Sequence, residues 1–93
     1  MEAGEREEWL KRVDELFEEV QEGGPMCLRR ARRVLLSPMA SSGEQERALL
    51  GLVGHPDPEA AILLREPRLR LRAPRVRFVH GVAKSWRAQR EAQ

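Results

Sequence analysis

Apolar positions in the first part of the chain fall at Trp9, Leu10, Val13, Leu16, Phe17 and Val20. That i, i+1, i+4, i+7, i+8, i+11 spacing marks one face of a helix sustained over three turns. Acids crowd its start, where they favour the positive end of the helix dipole. Gly23-Gly24 then offers a C-terminal cap. The pattern predicts an amphipathic helix over residues 4–22.

Pro25 suits a first-turn position of a second helix. Met26, Leu28, Ala31, Val34 and Leu35 form its apolar side, and Arg29, Arg30, Arg32 and Arg33 surround the other. Ser37-Pro38 ends it, because the residue before proline avoids the helical region. Ser41 with Glu44 three residues later has capping-box spacing and opens a third helix through Leu49, Leu50, Leu52 and Val53, closed by Gly54. Asp57-Pro58 reads as an N-cap followed by proline at the first helical position. A short helix over residues 58–65 follows, carrying Ala60, Ala61, Ile62, Leu63 and Leu64, with Pro67 as its limit.

Residues 68–73 alternate strictly, with Leu69 and Leu71 turned inward. A single strand without a partner does not make a sheet, so an extended connection or a distorted helical turn is expected. Pro74 starts a last helix over residues 74–90. Its Phe78, Val82 and Trp86 recur every fourth residue and form an apolar ridge assigned to the core. The fold class expected is all-α: a small single-domain bundle of four to five helices with one short extended segment. Residues 1–24 form an acidic amphipathic helix that packs on, or dimerises with, a basic helical domain over residues 25–93.

Composition supports helices. The 93 residues are rich in Leu, Ala, Arg and Glu, and contain no Tyr, Thr or Asn. The formal net charge of +2 conceals a split. Residues 1–24 carry nine acids against three bases, net −6, whereas residues 25–93 carry fourteen bases against six acids, net +8. Such asymmetry suits a basic surface for a polyanion, with an acidic helix that shields it or binds elsewhere.

Other chemistry is sparse. Cys27 is the one cysteine, which rules out an internal disulfide and leaves a buried, inert thiol as the expectation. No apolar run approaches the about 20 residues that span a bilayer. The acidic start is the opposite of a secretory signal, so a cytoplasmic protein without membrane contact is expected. His55 and His80 stand far apart with no ligand-spaced cluster, so neither metal nor cofactor is expected. No nucleophile elbow, phosphate-cradling loop or dinucleotide fingerprint occurs, and no enzymatic activity is expected.

The ridge Phe78-x-x-x-Val82-x-x-x-Trp86 resembles the YxxxIxxxW signature of DnaD-like replication domains. Phe78 stands at the Tyr position, Val82 at the Ile position, and Trp86 matches. Basic residues follow the Trp, as in that family's terminal helix. Leu36-Ser37-Pro38 resembles the step that often opens such domains, so the likeness covers residues 36–90. It implies a helical domain that binds DNA without strong sequence preference and acts in primosome assembly or helicase loading.

The residues expected to contact phosphates are Arg68, Arg70, Arg72, Arg75, Arg77, Lys84, Arg87 and Arg90, joined by the Arg29–Arg33 group. Arginine also stacks on exposed bases, which suits single strands. The alternative is a protein-interaction adaptor or phage-type regulator. There Trp9, Val13, Leu16, Phe17 and Val20 of the acidic helix would zip onto a replication protein, a host protein or a second copy.

Overall fold

A computed structural model describes residues 2–93. It contains five helices: α1 (Ala3–Glu22), α2 (Leu28–Leu36), α3 (Ser42–Val53), α4 (Glu59–Leu64) and α5 (Pro74–Glu91). The chain is an all-α bundle, with no strand among the described residues. None of its helices is long and apolar enough to cross a membrane, among the described residues.

The arrangement follows from α3, whose Ala48, Leu49, Leu50, Gly51, Leu52 and Val53 are all buried. Six consecutive buried residues cover every side of a helix, so the second half of α3 has to be enclosed by other elements. Here α1, α2, α4 and α5 all pack against it. Its start is closed by the expected capping box. Ser41 Oγ accepts the Glu44 N–H at 3.2 Å, and Glu44 Oε1 accepts the Ser41 N–H at 3.1 Å. The backbone N–H of Ser41, and then its hydroxyl, hold the Glu44 carboxyl below the usual carboxylate range.

Helix α1 forms as the periodicity predicts. Val13 is fully buried, with Leu16 and Phe17 packed beside it. Two edge-on aromatic pairs join α1 to α5: Trp9 with Phe78 at 5.4 Å between ring centroids, and Phe17 with Trp86 at 5.3 Å. The second glycine of the Gly23-Gly24 pair makes the left-handed turn, with φ of 81°. Met26 then folds over Gly51. A Cβ at that position would lie 2.6 Å from the Met26 methyl, so Gly51 makes room for the Met26 side chain against the central helix.

Helix α2 starts at Leu28, three residues later than the proline signal suggested. Pro25 lies in the linker, and Cys27 becomes the N-cap. Cys27 is therefore exposed, not buried as expected. At the fourth helix, Asp57 supplies its carboxylate to the Glu59 N–H at 2.9 Å, although the regular turn begins at Glu59.

Residues 68–73 are an extended connection pinned from two sides. The Arg70 N–H donates to the Leu35 carbonyl at 2.9 Å, and the Gln45 side-chain amide donates to the Arg70 carbonyl at 2.7 Å. Leu69 and Leu71 turn onto the core as the alternation predicts. Pro74 opens α5, whose buried row is Val76, Val79, Ala83 and Arg87. The Phe78–Val82–Trp86 ridge lies one position round from that row. It is half-buried because it meets α1 at the bundle edge and not the centre.

Two substitutions test this arrangement by urea unfolding. Leu50→Ala removes a fully buried side chain from the central helix and is expected to cost about 2–5 kcal/mol. Ser41→Ala removes the cap and is expected to cost about 1 kcal/mol.

Candidate nucleic-acid interface

The eight candidate phosphate-binding residues divide into two groups. Arg87 lies in the interior, 7% exposed. Its row on α5 explains why: Val76, Val79, Ala83 and Arg87 are spaced i, i+3, i+7, i+11 and share one face. The guanidinium gathers backbone carbonyls at the end of α3 and in the connection beyond. Nη1 donates to Leu52 at 3.1 Å, to Val53 at 3.3 Å and to His55, while Nη2 donates to Asp57 at 3.2 Å. Nε is held by the Glu91 carboxylate at 3.1 Å. Carbonyls at a helix C-terminus lack intrahelical partners and carry partial negative charge, which a planar five-donor cation satisfies. Arg87 is a helix cap, so its expected role in binding phosphate is corrected.

Arg75 is also drawn inward. Its Nε donates to Glu46 Oε1 at 2.6 Å, and the two side chains are 31% and 11% exposed. Glu46 sits in the first half of α3 and Arg87 caps its end, so these two clamps set α5 running in the same sense as α3. Arg77 stays exposed, but its guanidinium turns back to the carbonyls of Leu71 and Arg72. Arg68 is exposed and paired with Glu66 at 2.7 Å. Each partner shifts the other: the Arg68 side chain is the first cause of the lowered Glu66 carboxyl, and Glu66 raises the Arg68 guanidinium.

Arg70, Arg72, Lys84 and Arg90 are exposed and form no ion pair among the described residues. The same holds for Arg29, Arg30, Arg32 and Arg33 along the outer side of α2, and for Arg65 at the end of α4. Sequence reasoning passed over Arg65, because its alternating stripe began at Arg68. Two adjoining grooves bring together four of these bases, Arg29, Arg32, Arg65 and Lys84. One, of 290 Å³ between α2 and α4, is lined by Arg29, Arg32, Ile62 and Glu66 among others. The other, of 450 Å³ between the end of α4 and α5, is lined by Arg65, Glu66, Arg77, His80 and Lys84 among others. Glu66 is common to both, so bases from α2, the end of α4 and α5 border one continuous depression, a basic belt whose lining also includes the carboxylates of Glu59 and Glu66.

The acidic helix does not neutralise the belt. Among the described residues, its carboxylates pair only with Arg12 at 3.3 Å and Arg47 at 2.7 Å. Helix α1 packs on α3 and makes no comparable approach to α4. Its Trp9, Val13, Leu16, Phe17 and Val20 are buried or half-buried, with Val13, Leu16 and Phe17 against the core of its own chain. The apolar stripe expected for a partner is thus occupied internally. Phe78, Val82 and Trp86 also line a groove of 530 Å³ between α1 and α5, with Arg6 and Arg77 beside them.

His55 and His80 both bond to backbone. His55 Nδ1 accepts the Asp57 N–H at 3.0 Å, so Nε2 carries the proton donated to the Met26 carbonyl at 3.0 Å. His80 Nε2 donates to the Leu64 carbonyl at 2.6 Å, at the end of α4. Burial, and to a smaller extent the Lys84 charge, push the His80 imidazole below its ordinary value despite that hydrogen bond. The Cys27 thiol is held below its ordinary value by the backbone N–H groups of Arg30 and Arg29, then by nearby arginine charge. No group of three or more His, Cys, Asp or Glu side chains gathers into a metal-ligand set among the described residues.

No family model, curated protein or solved structure matches the chain.

Arg87→Met leaves four carbonyls without their donor and is expected to cost about 3 kcal/mol in urea unfolding, with Arg87→Lys recovering part of the loss. Acidification tests the His80 environment. The folded state prefers neutral imidazole, whereas the unfolded chain takes up a proton near 6.5. Stability is therefore expected to fall as pH drops below that value, before the carboxylates titrate. His80→Gln is expected to flatten the stability–pH curve in that window.

Proposed function

We propose that this chain is a non-enzymatic helical module that binds DNA, single strands included, by holding the phosphate backbone on its basic belt. The observation that carries the reading is a surplus of arginine with nothing internal to do. Of the bases in residues 25–93, the interior claims Arg75 and Arg87, and Arg47 and Arg68 pair at the surface. The others face solvent without an ion pair among the described residues. A row of unpaired guanidinium groups suits a repeating anion better than a compact ligand. Each neutralised phosphate releases condensed counterion, and arginine stacks on any base. Helix α1 leaves the belt open, since it packs on α3 and spends its apolar face there and against Phe78 and Trp86 of α5.

The likeness of Phe78, Val82 and Trp86 to the DnaD-like signature adds a context: replication, with a further protein of the primosome or helicase-loading machinery as partner. The half-buried ridge and its groove leave part of that signature accessible from outside.

Fluorescence anisotropy with single- and double-stranded oligonucleotides tests the reading. Binding is expected at about 50 mM salt and is expected to weaken steeply by about 200 mM. Replacing Arg70, Arg72, Lys84 and Arg90 together with Gln is expected to leave helicity intact and to make the log–log salt slope shallower, by about 0.9 for each phosphate that is no longer neutralised. Absence of binding at the lower salt, or an unchanged slope in the quadruple variant, overturns the assignment.

A further inference from the structure

We propose that the groove between the end of α4 and the middle of α5 is a phosphate subsite whose hold on the anion tightens when His80 takes up a second proton. The proposal rests on the backbone-binding reading and names one place where a phosphate sits. The groove measures 450 Å³ and brings together Arg65, Glu66, Arg77, His80 and Lys84. Arg77, His80 and Lys84 are spaced i, i+3, i+7 and so share a face of α5. Arg65 and Lys84 are exposed and make no ion pair among the described residues. Glu66 is the one carboxylate on the rim, and its Oε1 is already engaged by the Arg68 guanidinium at 2.7 Å. The local field is therefore positive.

The imidazole adds a switch. A carbonyl only accepts, so the bond to Leu64 at 2.6 Å fixes the proton on Nε2 and leaves Nδ1 as a lone pair. No described residue bonds Nδ1, and no buried side-chain nitrogen or oxygen lacks a partner. Nδ1 therefore reaches solvent, on a ring that lines the groove. A lone pair repels an oxyanion, whereas an Nδ1–H donates to it. The proton comes from solvent, and no bond in the ligand forms or breaks.

In the free protein, burial and then the Lys84 charge keep the ring neutral. An anion seated beside Lys84 offsets that charge and offers the imidazolium a charge-assisted hydrogen bond. Protonation and anion binding then reinforce each other by the same factor. The charged groups facing the ring are Arg65 and Glu66 from the end of α4 and Arg77 and Lys84 from α5. Arginine and lysine keep their charge throughout the range in which histidine titrates, and carboxylates are ionised over most of it.

The test reads the wild-type chain directly. NMR of the His80 ring gives its titration with and without a short oligothymidylate, with His55, bonded at both ring nitrogens, as internal reference. The His80 titration is expected to move up by about one unit on binding, with affinity about fivefold greater at about pH 5.5 than at about 7.5. His80→Gln, whose amide still reaches the Leu64 carbonyl, is expected to bind equally at both pH values. Oligonucleotide binding with an unmoved His80 titration overturns the subsite and leaves the backbone reading standing. Absence of oligonucleotide binding overturns the backbone reading. Sulfate, which keeps its charge over this range, then decides the subsite alone: an upward shift of His80 sustains it, and an unmoved titration ends it.

Discussion

A central helix covered by four others buries the carbonyls of its last turn and two polar side chains, and satisfying those groups is the constraint on which this structure depends. Helix α3 is that helix. Its first N–H groups are met by Ser41 and by the turn Ser41 opens. Its last carbonyls are met by a guanidinium carried in from α5. Between the ends, two polar side chains in the first half of α3 are also buried, and each is answered. Gln45 reaches the Arg70 carbonyl, and Glu46 takes Arg75. The register of α5 and the path of the connection before it both follow from these bonds.

The same constraint sorts the arginines. Burying a cation wholly or in part is expensive unless charge and hydrogen bonds compensate it, and among the described residues two arginines meet that condition. Arg87 has four carbonyls and Glu91, and Arg75 has Glu46. Elsewhere the acids are too few. In residues 25–93 they number six against fourteen bases, and Glu46, Glu66 and Glu91 are already paired. Helix α1 holds eight acids yet offers them mostly to solvent. The net charge of +2 thus describes two separated surfaces and not a neutralised one.

Much of the fold was legible because local signals and tertiary packing agree. The α1 stripe, the Ser41–Glu44 box, the Asp57 turn and Pro74 each act within a few residues. The start of α2 was misread because Pro25 permits a helix without requiring one, and Met26 is needed against Gly51 instead. The exposed Cys27 follows from that shift. The roles of Arg75 and Arg87 were hidden for a different reason. A charged residue on an apolar row reads as a surface cation until the carbonyls or carboxylate that await it are known. The spacing of Val76, Val79, Ala83 and Arg87 was nevertheless present, overshadowed by the larger Phe78–Val82–Trp86 ridge beside it.

The central claim is that the arginines form two populations, one spent on the fold and one held for a polyanion. The guanidinium Nε–H resonances report on this directly, recorded by ¹H–¹⁵N NMR while an oligonucleotide is added. The account predicts slow solvent exchange and unmoved positions for Arg75 and Arg87, with Arg65, Arg70 and Arg72 in fast exchange and shifting together as the strand binds. A rapidly exchanging Arg87 that shifts with the others would contradict it.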